Sequence, residues 1–167
     1  MLSILIFFLV LSALVLVHEA GHYFSARALG VKAEEFGFGF PPRFIGFVKD
    51  RGRWKRVGRK DREKYSNTIW SLNWLPLGGF VRIKGEQAAI ADPDSFHTRP
   101  VWQRFIILAA GVTMNWIFAF ALFTTVFIAG TQAVIEDLPS GANITGRAIT
   151  ITQVLPGSPA SKSGILP

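Results

Sequence analysis

The stretch Val15-Leu16-Val17-His18-Glu19-Ala20-Gly21-His22-Tyr23 decides the reading, because two histidines and a carboxylate close a run that has carried no charged side chain since Leu2. Residues four apart on a helix share a face, so His18 and His22 can grip one zinc ion. Glu19 between them is placed to take a proton from a water held at the metal. Zinc lowers the pKa of such a water toward about 7, which supplies a nucleophile at neutral pH. The plain alternative is two helix histidines packed in a bundle, with Glu19 paired to Arg27. Imidazoles and a carboxylate at the end of an apolar helix are costly in lipid, however, and must face a protein interior or a wet cavity. That location favours a shared metal site.

The rest of the chain repeats this separation of apolar from charged. Of 167 residues, two blocks, 2–17 and 105–135, hold no charge at all, and 16 of the 18 Lys and Arg lie between Arg27 and Arg104. Positive charge concentrated between two spans marks a loop kept on the cytoplasmic side. The net charge of +7 therefore follows from topology. No recognition helix or β-ribbon presents it to nucleic acid. With no cysteine the chain has neither a disulfide framework nor a thiolate ligand. The first block reads as a retained span and not as a signal peptide. Its start lacks Lys and Arg, no small-x-small cleavage site precedes His18, and the helical pattern runs on to a stop at Gly30. Residues 2–28 make a helix of about 40 Å, enough to cross a bilayer.

Four segments follow: a first transmembrane helix over 1–29, a basic loop with membrane-associated strands over 30–100, a second helix over 101–135, and an extracytoplasmic segment over 136–167. The fold class is an α-helical membrane protein whose two spans flank a cytoplasmic-side or re-entrant β-hairpin region. Phe36, Phe38 and Phe40 alternate with Gly37 and Gly39 as in a strand. Pro41-Pro42 is expected to end it, with a short partner strand over 44–48 and an exposed loop or hairpin tip over 50–64. Residues 69–83 are again strand-like, broken by Pro76 and by Gly78-Gly79, a pair that allows a bend or close approach of another backbone. Residues 86–100 are polar and turn-rich. Beyond the second span, 148–155 reads as a strand and 156–160 as a turn that opens a helix.

A catalytic zinc usually has three protein ligands. His97, Asp92, Asp94 and Glu86 lie near the second span, but nothing in their spacing demands that one of them reaches the metal. Asn115, halfway through the uncharged block, needs partners at that depth. Helix adhesion beside Ala110 and Gly111 and hydrogen bonding to a substrate account for it equally well. A helical substrate must be drawn out before its carbonyls can be attacked, and a strand edge at 36–40 or 77–83 does this by β-augmentation. An ordinary hairpin capping the helices is the simpler reading of the same strands. Two other classes compete with a protease: a non-catalytic membrane scaffold, and a metal channel, which would need more polar residues along the second span than Asn115 and a few threonines.

Four stretches then recur in order over nearly the whole chain: His18-Glu19-Ala20-Gly21-His22, Gly37-Phe38-Gly39, Asn73-Trp74-Leu75-Pro76-Leu77-Gly78-Gly79-Phe80-Val81, and the segment from Gln103-Arg104 through Asn115. By them the chain resembles the site-2 protease family, the zinc intramembrane metalloproteases, in particular the bacterial enzymes that cut anti-sigma factors and other single-span proteins. The resemblance implies Zn2+ on His18 and His22 with Glu19 as catalytic base. It also implies substrate binding by Asn115 and by strand residues Phe36, Gly37, Phe38, Gly39, Gly78 and Gly79. It implies a bacterial plasma membrane location, with the N-terminus and the last segment outside, and the start of a PDZ-like domain from about Ile149. Val112 stands where the family usually has proline. The third zinc ligand in this family is an aspartate of a later helix, so the chain is read as the N-terminal part of a longer protease.

Because the chain has no native cysteine, single cysteines report its topology cleanly. Lys60→Cys is expected to react with an impermeant maleimide only from the cytoplasmic side, and Ser140→Cys only from outside. Labelling of both from one side would overturn the arrangement.

Overall fold

The computed structural model describes residues 1–58, 65–130, 141, 151 and 153–166. The chain divides into two units, Met1–Ala129 and Gly130–Pro167. In the first, helices α1 (Leu2–Ala28) and α2 (Val101–Ala129) flank strands β1 (Ala33–Asp50), β2 (Arg53–Val57) and β3 (Ile69–Ile83). At 27 and 29 residues both helices are long and apolar enough to cross a membrane. The second unit holds a short helix, α3 (Pro159–Lys162), where the Ser158 hydroxyl accepts from the Ser161 N–H and Pro159 opens the first turn. This is the helix expected after the 156–160 turn. Half of the strand expected over 148–155 lies outside the described residues, and Ile151 and 153–155 join no element.

Helix α1 stops at Gly30, as its sequence suggests. Gly30 takes a φ of +73°, a conformation that costs other residues a Cβ clash, and so turns the chain. The Val31 N–H then bonds Ala26 O at 2.8 Å and the Gly30 N–H bonds Arg27 O at 3.1 Å, closing the helix end. A loop clamps this end from outside: Lys84 Nζ lies 2.8 Å from Asp92 and 2.6 Å from Asp94. The Lys32 N–H bonds the Asp94 carbonyl at 2.9 Å. Arg99 reaches Gly30 O at 2.5 Å.

The sheet has the order β2-β1-β3, antiparallel on both sides of β1. Two expectations need correction. Pro41-Pro42 does not end the strand: β1 continues through the pair to Asp50. The prolines fall in the irregular interval between the Phe40–Leu75 and Arg43–Asn73 pairings, where the ladder asks no N–H of them. And 44–48 is not a separate partner strand but the second half of β1, which pairs with Arg53–Val57 through the hairpin tip expected in 50–64, where Arg51 (φ 46°) and Gly52 (φ 81°) are both left-handed. Two consecutive positive φ values match the right-handed twist of a tight hairpin.

Bending lets β1 and β3 wrap each other. Phe36 is flanked by Val81 on one side and Trp70 on the other. The bend is held by buried polar groups. Arg43 Nε bonds Glu35 Oε1 at 2.9 Å, with the two side chains 6% and 1% exposed, and Arg43 Nη1 donates to Gly58 O at 3.0 Å. The Asn73 amide donates to Phe38 O at 3.1 Å and Gly39 O at 3.0 Å. The sheet meets α1 through Tyr23, whose ring centroid lies 5.5 Å from Phe36 and 5.3 Å from Trp70. A core of Ala26, Val31, Ile83 and Ile107 then joins both helices to the sheet.

Removing one partner of a buried pair leaves the other charge uncompensated, at about 3–5 kcal/mol, whereas replacing both with apolar residues of similar size costs far less. Glu35→Leu is therefore expected to destabilise the detergent-solubilised chain strongly in denaturant titration. The pair Glu35→Leu with Arg43→Met should recover most of that loss.

Candidate metal centre

Helical spacing places His18 and His22 on one face, and the structure brings their Nε2 atoms to 3.1 Å from each other. The His22 ring is fixed from behind, its Nδ1–H donating to the Ile107 carbonyl at 2.7 Å. With the proton on Nδ1, Nε2 presents its lone pair toward His18. Two nitrogens 3.1 Å apart are closer than twice the usual Zn–N distance of about 2.0–2.1 Å, so one ion can touch both. The carbonyl behind His22 is the outer contact that metal-bound histidines ordinarily make. The residues present fit a zinc ion.

Room for these rings comes from glycine on both helices. A Cβ on Gly21 would strike the Ala110 carbonyl oxygen, so α1 and α2 approach with backbone nearly touching. A Cβ on Gly111 would lie 2.5 Å from His22 Nε2 and 2.7 Å from His18 Nε2. Ile107, Gly111 and Asn115 form one stripe of α2 at four-residue spacing. It supplies in turn the carbonyl to His22, the space for both rings, and an amide whose Nδ2 is 3.4 Å from His18 Nδ1. The spacing of Ala110 and Gly111 suggests helix adhesion; the structure adds that Gly111 faces the imidazoles.

Glu19 does not pair with Arg27, which instead donates to the Tyr23 hydroxyl at 3.1 Å. Its Oε2 accepts the Val81 N–H at 2.8 Å, and two turns earlier the Ser12 hydroxyl accepts the Gly78 N–H at 3.2 Å. This side of α1 therefore lies along β3. A Cβ on Gly78 or Gly79 would meet Val15 or Leu16 at 3.2 Å, so the glycine pair accommodates α1. Gly37 sits against the Phe80 ring and the Asn73 amide, and Gly39 against the Leu75 carbonyl. Phe36 packs on Tyr23 and Trp70, and Phe38 is half-buried beside Gly79 and Leu72. Backbone atoms of Val81 and Ile107 carry site contacts that no residue pattern could have pointed to.

Among the described residues, no third His, Cys, Asp or Glu joins the histidines in a metal-sized group. Asp92 and Asp94 are engaged by Lys84, which holds the Asp94 carboxyl below its ordinary range. Glu86 is the loop acid that feels the site. Partial desolvation pushes its carboxyl up, and the nearby Glu19 charge adds to the rise. The threonine hydroxyls of α2 bond carbonyls of their own helix, Thr113 to Ala109, Thr124 to Phe120 and Thr125 to Ala121, so they offer no polar path for an ion.

The pattern that defines peptidase family M50 matches residues 6–57 and 60–161. A Brucella suis protein provisionally named a zinc metalloprotease is 31% identical over 179 residues, covering 99% of this chain and 40% of that protein. A Thermotoga maritima protein named in the same way is 35% identical over 167 residues, with coverages of 97% and 27%. A metalloprotease of Caulobacter vibrioides is 32% identical over 180 residues, with coverages of 95% and 38%. The chain thus spans about two fifths or less of the length of these relatives.

The cradle formed by Gly111 has a direct consequence. Gly111→Ala should displace both rings and abolish zinc retention, read as metal per polypeptide after gel filtration. Val112→Ala, one residue on and 55% exposed, should bind as the parent does.

Proposed function

The chain belongs to peptidase family M50, and from that premise we propose that it carries two metal ligands and the catalytic base of a zinc-dependent endopeptidase working within the membrane. One observation supports this above the rest: the Nε2 atoms of His18 and His22 converge to 3.1 Å between helices of transmembrane length, with Glu19 the next residue after His18. In this reading His18 and His22 hold Zn2+, which when bound would polarise a peptide carbonyl and acidify a water. Glu19 takes the proton from the attacking water and delivers it to the leaving amine. The Val81 N–H, on one oxygen of Glu19, orients the carboxylate and leaves the other oxygen for that transfer.

Substrates are single-span membrane proteins such as anti-sigma factors, drawn out of helical form against the β1–β3 region. Phe36–Gly39 and Gly78-Gly79 border the extended segment, and Asn115 contributes an amide beside the metal. The bilayer is the surrounding solvent, with the basic loop on the cytoplasmic face of a bacterial plasma membrane. The segment around α3 opens a PDZ-like domain on the other side, a reading supported by its Gly157-Ser158-Pro159-Ala160 turn and helix. The third metal ligand comes from outside the described residues.

Zinc per polypeptide, measured on the chain in detergent against a His18→Ala, His22→Ala control, tests the metal reading. Stoichiometric zinc that is lost in the control supports it; a zinc-free parent chain would overturn the reading that residues 1–167 hold the ion unaided, leaving a site completed by a further ligand or a metal-free scaffold. Glu19→Gln should keep its zinc while hydrolysis of a single-span reporter falls by about 10²–10⁴-fold, the usual range for losing a general acid–base group. Unchanged hydrolysis would remove Glu19 from the chemistry.

A further inference from the structure

At the site, Asn115 Oδ1 is buried and has no hydrogen-bond partner among the described residues. The other end of the same amide, Nδ2, faces His18 Nδ1 at 3.4 Å, long for a hydrogen bond. The chemistry of the pair is awkward in this orientation. An imidazole that gives its Nε2 lone pair to a cation must carry its proton on Nδ1, and an Nδ1–H facing an NH2 group sets donor against donor. The two ends of a carboxamide have nearly the same shape. A half-turn about the last side-chain torsion exchanges them with no other atom moving.

We propose that Asn115 Oδ1 accepts the Nδ1–H of His18, which makes Asn115 a positioning residue that holds His18 in the tautomer able to bind metal. The arrangement mirrors the far side of the site, where the Ile107 carbonyl does the same for His22 at 2.7 Å. Both acceptors belong to one stripe of α2, two turns apart, with Gly111 between them against both rings. A single helix thus sets both imidazoles of α1. The half-turn also gives the buried oxygen its partner and turns the NH2 group away from His18. This inference rests on the metal reading above.

The test separates an acceptor role from a donor role. Asn115→Leu is close in shape and accepts nothing; Asn115→Asp accepts but has no NH2. Zinc affinity is read on the full chain in detergent by competition with a chromogenic chelator, and circular dichroism checks helix content. Loss of an outer-sphere partner typically costs about 10–100-fold in affinity, and that drop is expected for Asn115→Leu. Asn115→Asp should bind at least as tightly as the parent. In the zinc-loaded parent and in Asn115→Asp, the His18 Nδ1–H should give a slowly exchanging imidazole signal in 1H–15N spectra, and Asn115→Leu should lose it. Zinc binding unchanged in Asn115→Leu, or lost equally in both variants, would overturn the proposal while leaving the metal reading intact. A parent chain that binds no zinc would overturn the proposal for this chain together with the reading that His18 and His22 hold the ion here without a further ligand.

Discussion

Everything at the candidate site depends on how closely α1 and α2 approach. Apolar helices in lipid gain nothing from burying apolar surface against one another, since the surrounding tails are equally apolar. They associate through close packing where small side chains let the backbones meet. Here Gly21 lies on the Ala110 carbonyl and Gly111 lies on the histidine rings. One methyl group at either position would separate the helices or fill the space where the Nε2 atoms converge. The same approach brings the Ile107 carbonyl within 2.7 Å of His22, so the contact that packs the helices also sets the chemistry of the ring.

The sheet provides the second wall. Its bend, held by Glu35, Arg43 and Asn73, curls β1 and β3 together and lays the 78–81 stretch along α1. Glu19 therefore meets backbone and not a cation, and an N–H beside a carboxylate orients it without neutralising it. The arrangement also bears on how an extended segment could add to the sheet. Backbone donors of Gly78 and Val81 are already taken by Ser12 and Glu19. A strand adding there must displace side chains of α1, one of which is the proposed base.

Much of the architecture is legible in the residues because the relevant signals are local. An uncharged run of span length, a glycine that stops a helix and alternation in a strand each need only neighbours in sequence, and α1, its end at Gly30 and β3 follow them. Pro41-Pro42 misled because a proline ends a strand only where the ladder requires its N–H, and that depends on register with a partner thirty residues away. The hairpin tip expected in 50–64 is present at Arg51-Gly52, but its outer strand, Arg53–Val57, shows no legible alternation because Lys and Arg occupy most of it.

The pair His18 and His22, with Glu19 between them, is readable from the residues alone, because helical periodicity fixes which side chains share a face. So is their place at the end of an apolar helix, where three polar groups need a common partner. What stands around them depends on the folded chain. The carbonyl of Ile107, the amide of Val81, the empty space over Gly111 and the buried oxygen of Asn115 come from elements 60 to nearly 100 residues away. Two of these are backbone groups, which every residue carries alike, and one is the absence of a side chain. Their chemistry is the same wherever they occur in a chain, so their role is set by where the fold carries them.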